Sequence, residues 1–219
     1  MFTRRAHILA ALCGILGPVA LVSSFVINPA PPATPTIEQM RSFAIQHQTT
    51  IVLGGWLQGI GSLLIVLFSL GIVHFAGATH RFAGWATLLA GGTILMVSLV
   101  EVTFYLAAAH AAITGDITTG LVSNALIKAV QHVFLIAPAL LIPLGLVLVD
   151  SSVLPRILGY LALLLGATLQ LLGLVGLFNL LQPVIDDLLI VQAVWFVAAA
   201  IALIVRANRA ADGTMAQLL

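Results

Sequence analysis

Charge is what this sequence has least of. Asp, Glu, Lys and Arg together make up 7% of its 219 residues, against roughly a quarter in an average soluble domain. That shortage excludes an ordinary water-soluble globule. Eight Lys plus Arg against seven Asp plus Glu leave a net charge of +1, so the basic field that nucleic-acid binding requires is missing. Cysteine occurs once, at Cys13, which excludes a disulfide framework within the chain. With no lipidation box around it, Cys13 reads as a small apolar side chain in a helix. Gly-x-Ser-x-Gly and His-Glu-x-x-His are both absent, and no internal repeat supports an inverted-repeat transporter.

What is abundant is hydrocarbon: 61% of the residues are hydrophobic and the mean hydropathy is +1.19. A helix crossing the bilayer core needs about 20 mostly apolar residues. Six such runs lie near Ala6–Asn28, Thr50–Ala76, Phe82–Ala112, Leu121–Val149, Arg156–Leu180 and Val184–Val205. Their lengths, without period-two alternation, predict an all-α polytopic membrane protein, not a β-barrel. The whole chain, 1–219, reads as one six-helix transmembrane domain with no soluble domain. Arg4 and Arg5 precede the first run as in a signal peptide, but the run is long for a signal h-region, and a retained helix is expected.

The loops predict the orientation. With the N-terminus inside, Arg4, Arg5, Arg81, Arg156, Arg206 and Arg209 fall on the cytoplasmic side, and only Arg41 and Lys128 on the other. Positive charge collects inside, so both termini should be cytoplasmic, in the cytoplasmic (inner) membrane. Glu38, Asp116, Asp186 and Asp187 collect outside. The long first external loop, Pro29–Thr49, opens with the stiff stretch Pro29-Ala30-Pro31-Pro32. Thr36-x-x-Gln39 then matches a capping box, with Ile37, Met40 and Ala44 at helical spacing. A short interfacial helix is expected there, either a lid over the bundle or an ordered loop segment without a gating role.

Polar side chains inside the spans need a reason. Counting about 1.5 Å per residue, Glu101 and His132 each lie about 16 Å in from the outer end, and Gln58, Gln170 and Gln192 about 12–15 Å. On span three, Thr87, Gly91, Ser98, Glu101 and Tyr105 form one stripe. On span four, Asn124, Lys128 and His132 stack at intervals of four. Span two offers Gly54, Gln58, Gly61 and Ser62, and span five Gly159, Gly166, Gln170 and Gly173, small residues that mark close helix approach. These patterns predict an inward-facing polar cluster reached from outside. Trp56 and Trp195 sit near Gln58 and Gln192, either lining a pocket or serving as belt and packing residues, while Trp85 marks the inner boundary. Pro138 and Pro143 should kink span four below His132, freeing the carbonyls of Phe134 and Ala139.

Glu101 and His132 are the candidate catalytic pair. A buried carboxylate calls for a compensating cation, which His132 and Lys128 would supply. The pair would then act as a proton relay or as acid and base on a bound molecule, or Glu101 would only lock two helices together. The histidines divide into His47, His110 and His132 towards the outside and His7, His74 and His80 towards the inside. Haem between paired histidines is poorly matched, because spans five and six carry none. Zinc held by His110, His132 and Glu101 meets the difficulty that His110 lies about 180° around its helix from Glu101. No metal site is assigned, and the cofactor is open.

With six spans, short loops, an external Pro-rich first loop and the segment Gln131-His132-Val133-Phe134-Leu135-Ile136-Ala137-Pro138, the chain resembles bacterial integral-membrane families of unknown function. The resemblance covers the whole layout and brings no catalytic residues with it. The expected function is binding or moving a small or amphipathic molecule, a lipid included, through an outward-facing polar cavity formed by Gln58, Glu101, Tyr105, Lys128, His132, Gln170, Gln192, Trp56 and Trp195. The alternatives are a non-catalytic subunit of a membrane complex or a homo-oligomer, in which the cluster is helix glue, and a redox or metal-assisted membrane enzyme.

Overall fold

The computed structural model describes residues 2–29, 36–136, 140–176 and 182–216. Among them the chain is helical throughout, in seven segments: α1 (Phe2–Ile27), α2 (Ile37–Phe75), α3 (Phe82–Thr114), α4 (Ile117–Ile136), α5 (Leu141–Val149), α6 (Arg156–Gly176) and α7 (Gln182–Ala216). Five of these, α1, α2, α3, α6 and α7, contain stretches long and apolar enough to cross a membrane. Large apolar side chains cover the outside of the bundle: Leu9, Leu89, Met96 and Val26 are each more than 60% exposed. Water would not tolerate such a surface over a whole bundle; hydrocarbon satisfies it.

Two expected elements take a different form. The fourth run, Leu121–Val149, is divided between α4 and α5, and the kink expected at Pro138 falls outside the described residues. Pro143 stands in the first turn of α5, where a missing N–H costs no helical hydrogen bond. The separate interfacial helix is the second difference. Its capping box is present: the Gln39 N–H donates to Thr36 Oγ1 at 3.2 Å, and the Thr36 N–H donates to Gln39 Oε1 at 2.9 Å. The helix it starts, however, runs without interruption into the second span. α2 has 39 residues, about 58 Å at 1.5 Å per residue, roughly twice the thickness of a hydrocarbon core. Nothing between Ile37 and Thr50 is a Gly or Pro, so no breaker stops it.

Close backbone contacts set the packing of α1 against α2. A Cβ on Gly61 would lie 2.8 Å from Leu21 N and 2.9 Å from Gly17 O, and one on Gly17 would lie 2.9 Å from Ile65 N. Towards one end of this seam the His7 ring stacks on Phe75 at 3.8 Å. Towards the other, Asn28 lies over Gly54. Since Asn28 closes α1 at the level of Gly54, residues 37–53 of α2 project about 25 Å beyond it. α3 runs antiparallel to α2, with Gly55 against Val102 and Gly91 against Val66. A second small-residue seam joins α5 to α6, where a Cβ on Gly145 would meet Gly159 O at 2.9 Å. α7 returns along α1, and Arg4 Nη2 donates to Asn208 Oδ1 at 3.0 Å. The core between these seams contains Phe68, Ile72, Leu144, Phe196 and Leu203, all fully buried. One end of the bundle thus gathers Arg4, Arg81, Arg156, Arg206 and Arg209, and is called the arginine-rich end below. The α3–α4 turn, built on Gly115 at φ +79°, lies at the far end.

Candidate functional site

The seam between α2 and α3 carries two polar pairs, one above the other. Gln58 Nε2 donates to Glu101 Oε2 at 2.7 Å. One turn closer to the arginine-rich end, Ser62 Oγ donates to Ser98 Oγ at 2.9 Å. The pairing follows from spacing: residues four apart on α2 meet residues three apart on an antiparallel α3, all on facing stripes. Gln58, Ser62 and Ser98 are buried, whereas Glu101 is half-buried. Gly55 and Gly59 on α2, with Val102 and Leu99 opposite at 3.0 and 3.3 Å from their would-be Cβ atoms, let the two backbones approach closely enough for these short side chains to touch.

The pairs differ in what they leave unspent. The serine hydroxyls are fully enclosed and bonded to each other. The Glu101 carboxylate accepts one hydrogen bond, at Oε2, and Oε1 accepts none from the described residues. Tyr105 stands one turn further towards the far end on the same face of α3, half-buried. Asn28 lies over Gly54, one turn from Gln58 on α2, and its Oδ1 is buried with no hydrogen-bond partner. Sequence reasoning treated Asn28 as the boundary of the first span and overlooked it. The available signal was an amide at the same depth as Gln58 once the first two spans are laid antiparallel.

The other candidates are distributed around the bundle. Trp56 is 63% exposed on α2, two residues and so more than half a helical turn from the buried Gln58. Trp195 is buried, and its Nε1–H donates to Leu158 O at 3.0 Å, which ties α7 to the first turn of α6. It also packs edge-on against Phe196, with ring centroids 5.1 Å apart. Gln170 and Gln192 are half-buried on α6 and α7; α6 packs mainly on α5 and α4, and α7 on α1. The side chains of Lys128 and His132 lie outside the described residues, although the backbone of α4 that carries them packs along α3. His110 is exposed near the end of α3. Among the described residues no three His, Cys, Asp or Glu side chains gather at metal-holding distance.

The chain matches no protein-family model, no curated protein and no solved structure. Its chemistry is therefore read from its own residues. The α2–α3 seam offers a carboxylate oxygen as hydrogen-bond acceptor, and the adjoining end of α1 offers the buried amide oxygen of Asn28. Such a set suits a partner that brings donors or positive charge.

Proposed function

We propose that this chain is a six-span membrane protein, with both termini on the cytoplasmic side of a bacterial inner membrane, that binds or moves a small or amphipathic molecule at the Glu101 level. The observation that carries the reading is the half-spent carboxylate. Glu101 is held in place by Gln58 at 2.7 Å, and its second oxygen accepts from none of the described residues. A carboxylate among apolar spans is too costly to keep without a partner, and one amide hydrogen bond meets only part of its acceptor capacity. The orphaned Asn28 Oδ1, close to the same level, supports a ligand that carries donors, an amine or a polyol end on an apolar body. The six spans count α4 and α5 as the halves of the fourth. The orientation follows the arginines.

The test is native mass spectrometry of the full chain released from mild detergent, wild type beside Glu101→Gln. The substitution keeps a side chain that can still bond Gln58, so the helix contact survives while the charge is lost. A discrete small mass retained by the wild type and lost from Glu101→Gln is the expected result. A bare wild-type mass, or equal retention by both, refutes the reading.

One observation favours a second reading. The Ser62–Ser98 pair is closed on itself, and a membrane seam needs such pairs only to join helices. On that reading the whole stripe is glue in a non-catalytic subunit or homo-oligomer. Glu101→Gln would then lower the melting temperature without changing any retained ligand, and a stoichiometric partner would co-purify.

A further inference from the structure

The arginine-rich end holds a feature the Glu101 site does not use. Where α5 hands over to α6, residues 151–156 and the 202–209 stretch of α7 line an open cavity of about 530 Å³. Arg156, Arg206 and Arg209 line it, together with Ser151. Leu154, Ala202 and Val205 supply its apolar wall. The α7 residues recur at intervals of three and four, so they share one face. Asn208, between the two arginines, is turned instead to α1 and accepts from Arg4.

No described side chain compensates the charges here. All three arginines are exposed, and none has an ion-pair or hydrogen-bond partner among the described residues. Asp150, which caps the C-terminus of α5, is not part of the lining. Ser151 Oγ is buried without a hydrogen-bond partner, so the wall also holds an unspent hydroxyl. Three arginines lining one space match the oxygens of a phosphate better than any neutral group. Position indicates the source of that phosphate. From Val205 an apolar track continues up α7 through Ile201 and Val194, which are 43%, 50% and 63% exposed respectively. The three lie at intervals of four and seven, on the outer surface that hydrocarbon would cover. Basic pockets between helices at a membrane surface are where anionic headgroups lodge.

From this we infer that the Arg156–Arg206–Arg209 cavity binds the phosphate of an anionic phospholipid, whose acyl chain lies along Val205, Ile201 and Val194. The inference does not rest on the Glu101 reading, and each can fail alone. The test titrates the full chain in a neutral detergent with phosphatidylglycerol, phosphatidylcholine and glycerol 3-phosphate, read by native mass spectrometry. The wild type should hold one phosphatidylglycerol in preference to phosphatidylcholine. Each arginine near a membrane surface contributes about fivefold in affinity, so the triple variant Arg156→Gln, Arg206→Gln, Arg209→Gln should lose about 100-fold. Arg81→Gln, at the same end but outside the cavity, should bind as the wild type does. If the triple variant fails to fold, Arg209→Gln alone should lose about fivefold, and raising the salt should weaken wild-type binding. Equal binding of the two lipids, or equal loss from Arg81→Gln and the cavity variants, overturns the inference. Glycerol 3-phosphate binding as tightly as the lipid overturns the membrane source and assigns the cavity to a soluble phosphate.

Discussion

Replacing Gly61 by alanine tests the seam on which the Glu101 site is hung. The added Cβ would sit 2.8 Å from Leu21 N and 2.9 Å from Gly17 O, against 3.4–4 Å for ordinary contact. Both opposing atoms are backbone, so no side chain can swing away; α1 and α2 must part by roughly half an ångström. A gap of that size forfeits about a quarter of the dispersion energy of the atoms it separates. Overpacking of this kind costs about 1–3 kcal/mol, and the gain from placing Ala instead of Gly in a helix offsets up to about 1 kcal/mol. The net loss should be about 1–2 kcal/mol. For a chain of this length that lowers the melting temperature by about 2–8 °C.

The assay is thermal unfolding of the purified protein in detergent, with two companions. Gly17→Ala strikes the same seam from the other side, at Ile65 N and Gly61 O, 2.9 and 3.0 Å from its would-be Cβ. Once one alanine has parted the helices the second costs less, so the double variant should lose less than the sum of the single variants. Gly92→Ala meets nothing within 4 Å and should be neutral or slightly stabilising. An unchanged melting temperature for Gly61→Ala, or strict additivity with Gly17→Ala, refutes the close-approach reasoning.

Trp195→Phe removes the donor to Leu158 O while keeping most of the ring. It should cost about 1 kcal/mol, seen as a lowered melting temperature; an unchanged one would mean that the bond adds nothing to the attachment of α6 to α7. Asp116, at the start of α4, receives the Thr119 hydroxyl at 2.6 Å and the Thr119 N–H at 3.1 Å, and these bonds hold its carboxyl below the usual value of 3.8. A carboxyl held lower in the folded state stabilises the fold above its unfolded value, and that contribution is lost as the pH falls through the folded value. The advantage of the wild type over Asp116→Asn in melting temperature should therefore be present at pH 6 and shrink below about pH 4; a difference independent of pH would count against it.

How far the fold could be read in advance depended on whether a local signal existed. The capping box at Thr36 was legible because both partners lie within one turn. The length of that helix was not legible in the same way: the expected short helix lies within Pro29–Thr49, whereas α2 runs on through Gln46, His47, Gln48 and Thr49 to Phe75. Polarity ends the stretch that hydrocarbon can cover; it does not end a helix, which continues until a Gly, a Pro or a tertiary contact stops it. The end of α3 shows the converse. Gly115 supplies the left-handed turn, and the expected boundary at Ala112 lies within a turn of the observed Thr114.

The site was legible as two stripes but not as a pair. Periodicity placed Gln58 and Ser62 on one helix face and Ser98 and Glu101 on another; it could not say that α2 and α3 are neighbours in the register that joins 58 to 101 and 62 to 98. That information lies in Gly55 and Gly59, whose lack of side chains sets the spacing at which the hydrogen bonds close. The same reasoning separates the two tryptophans, which the sequence left equivalent. Trp56 shares a helix with Gln58 but lies about 200° around it, and no tertiary contact can bring it back. Trp195 lies on a helix that packs on α1, and its indole N–H, which in hydrocarbon must find an acceptor, finds Leu158 O near the opposite end from Glu101. Depth and face are thus properties of one helix and can be read from one sequence. Partnership is a property of two, and here glycines set it.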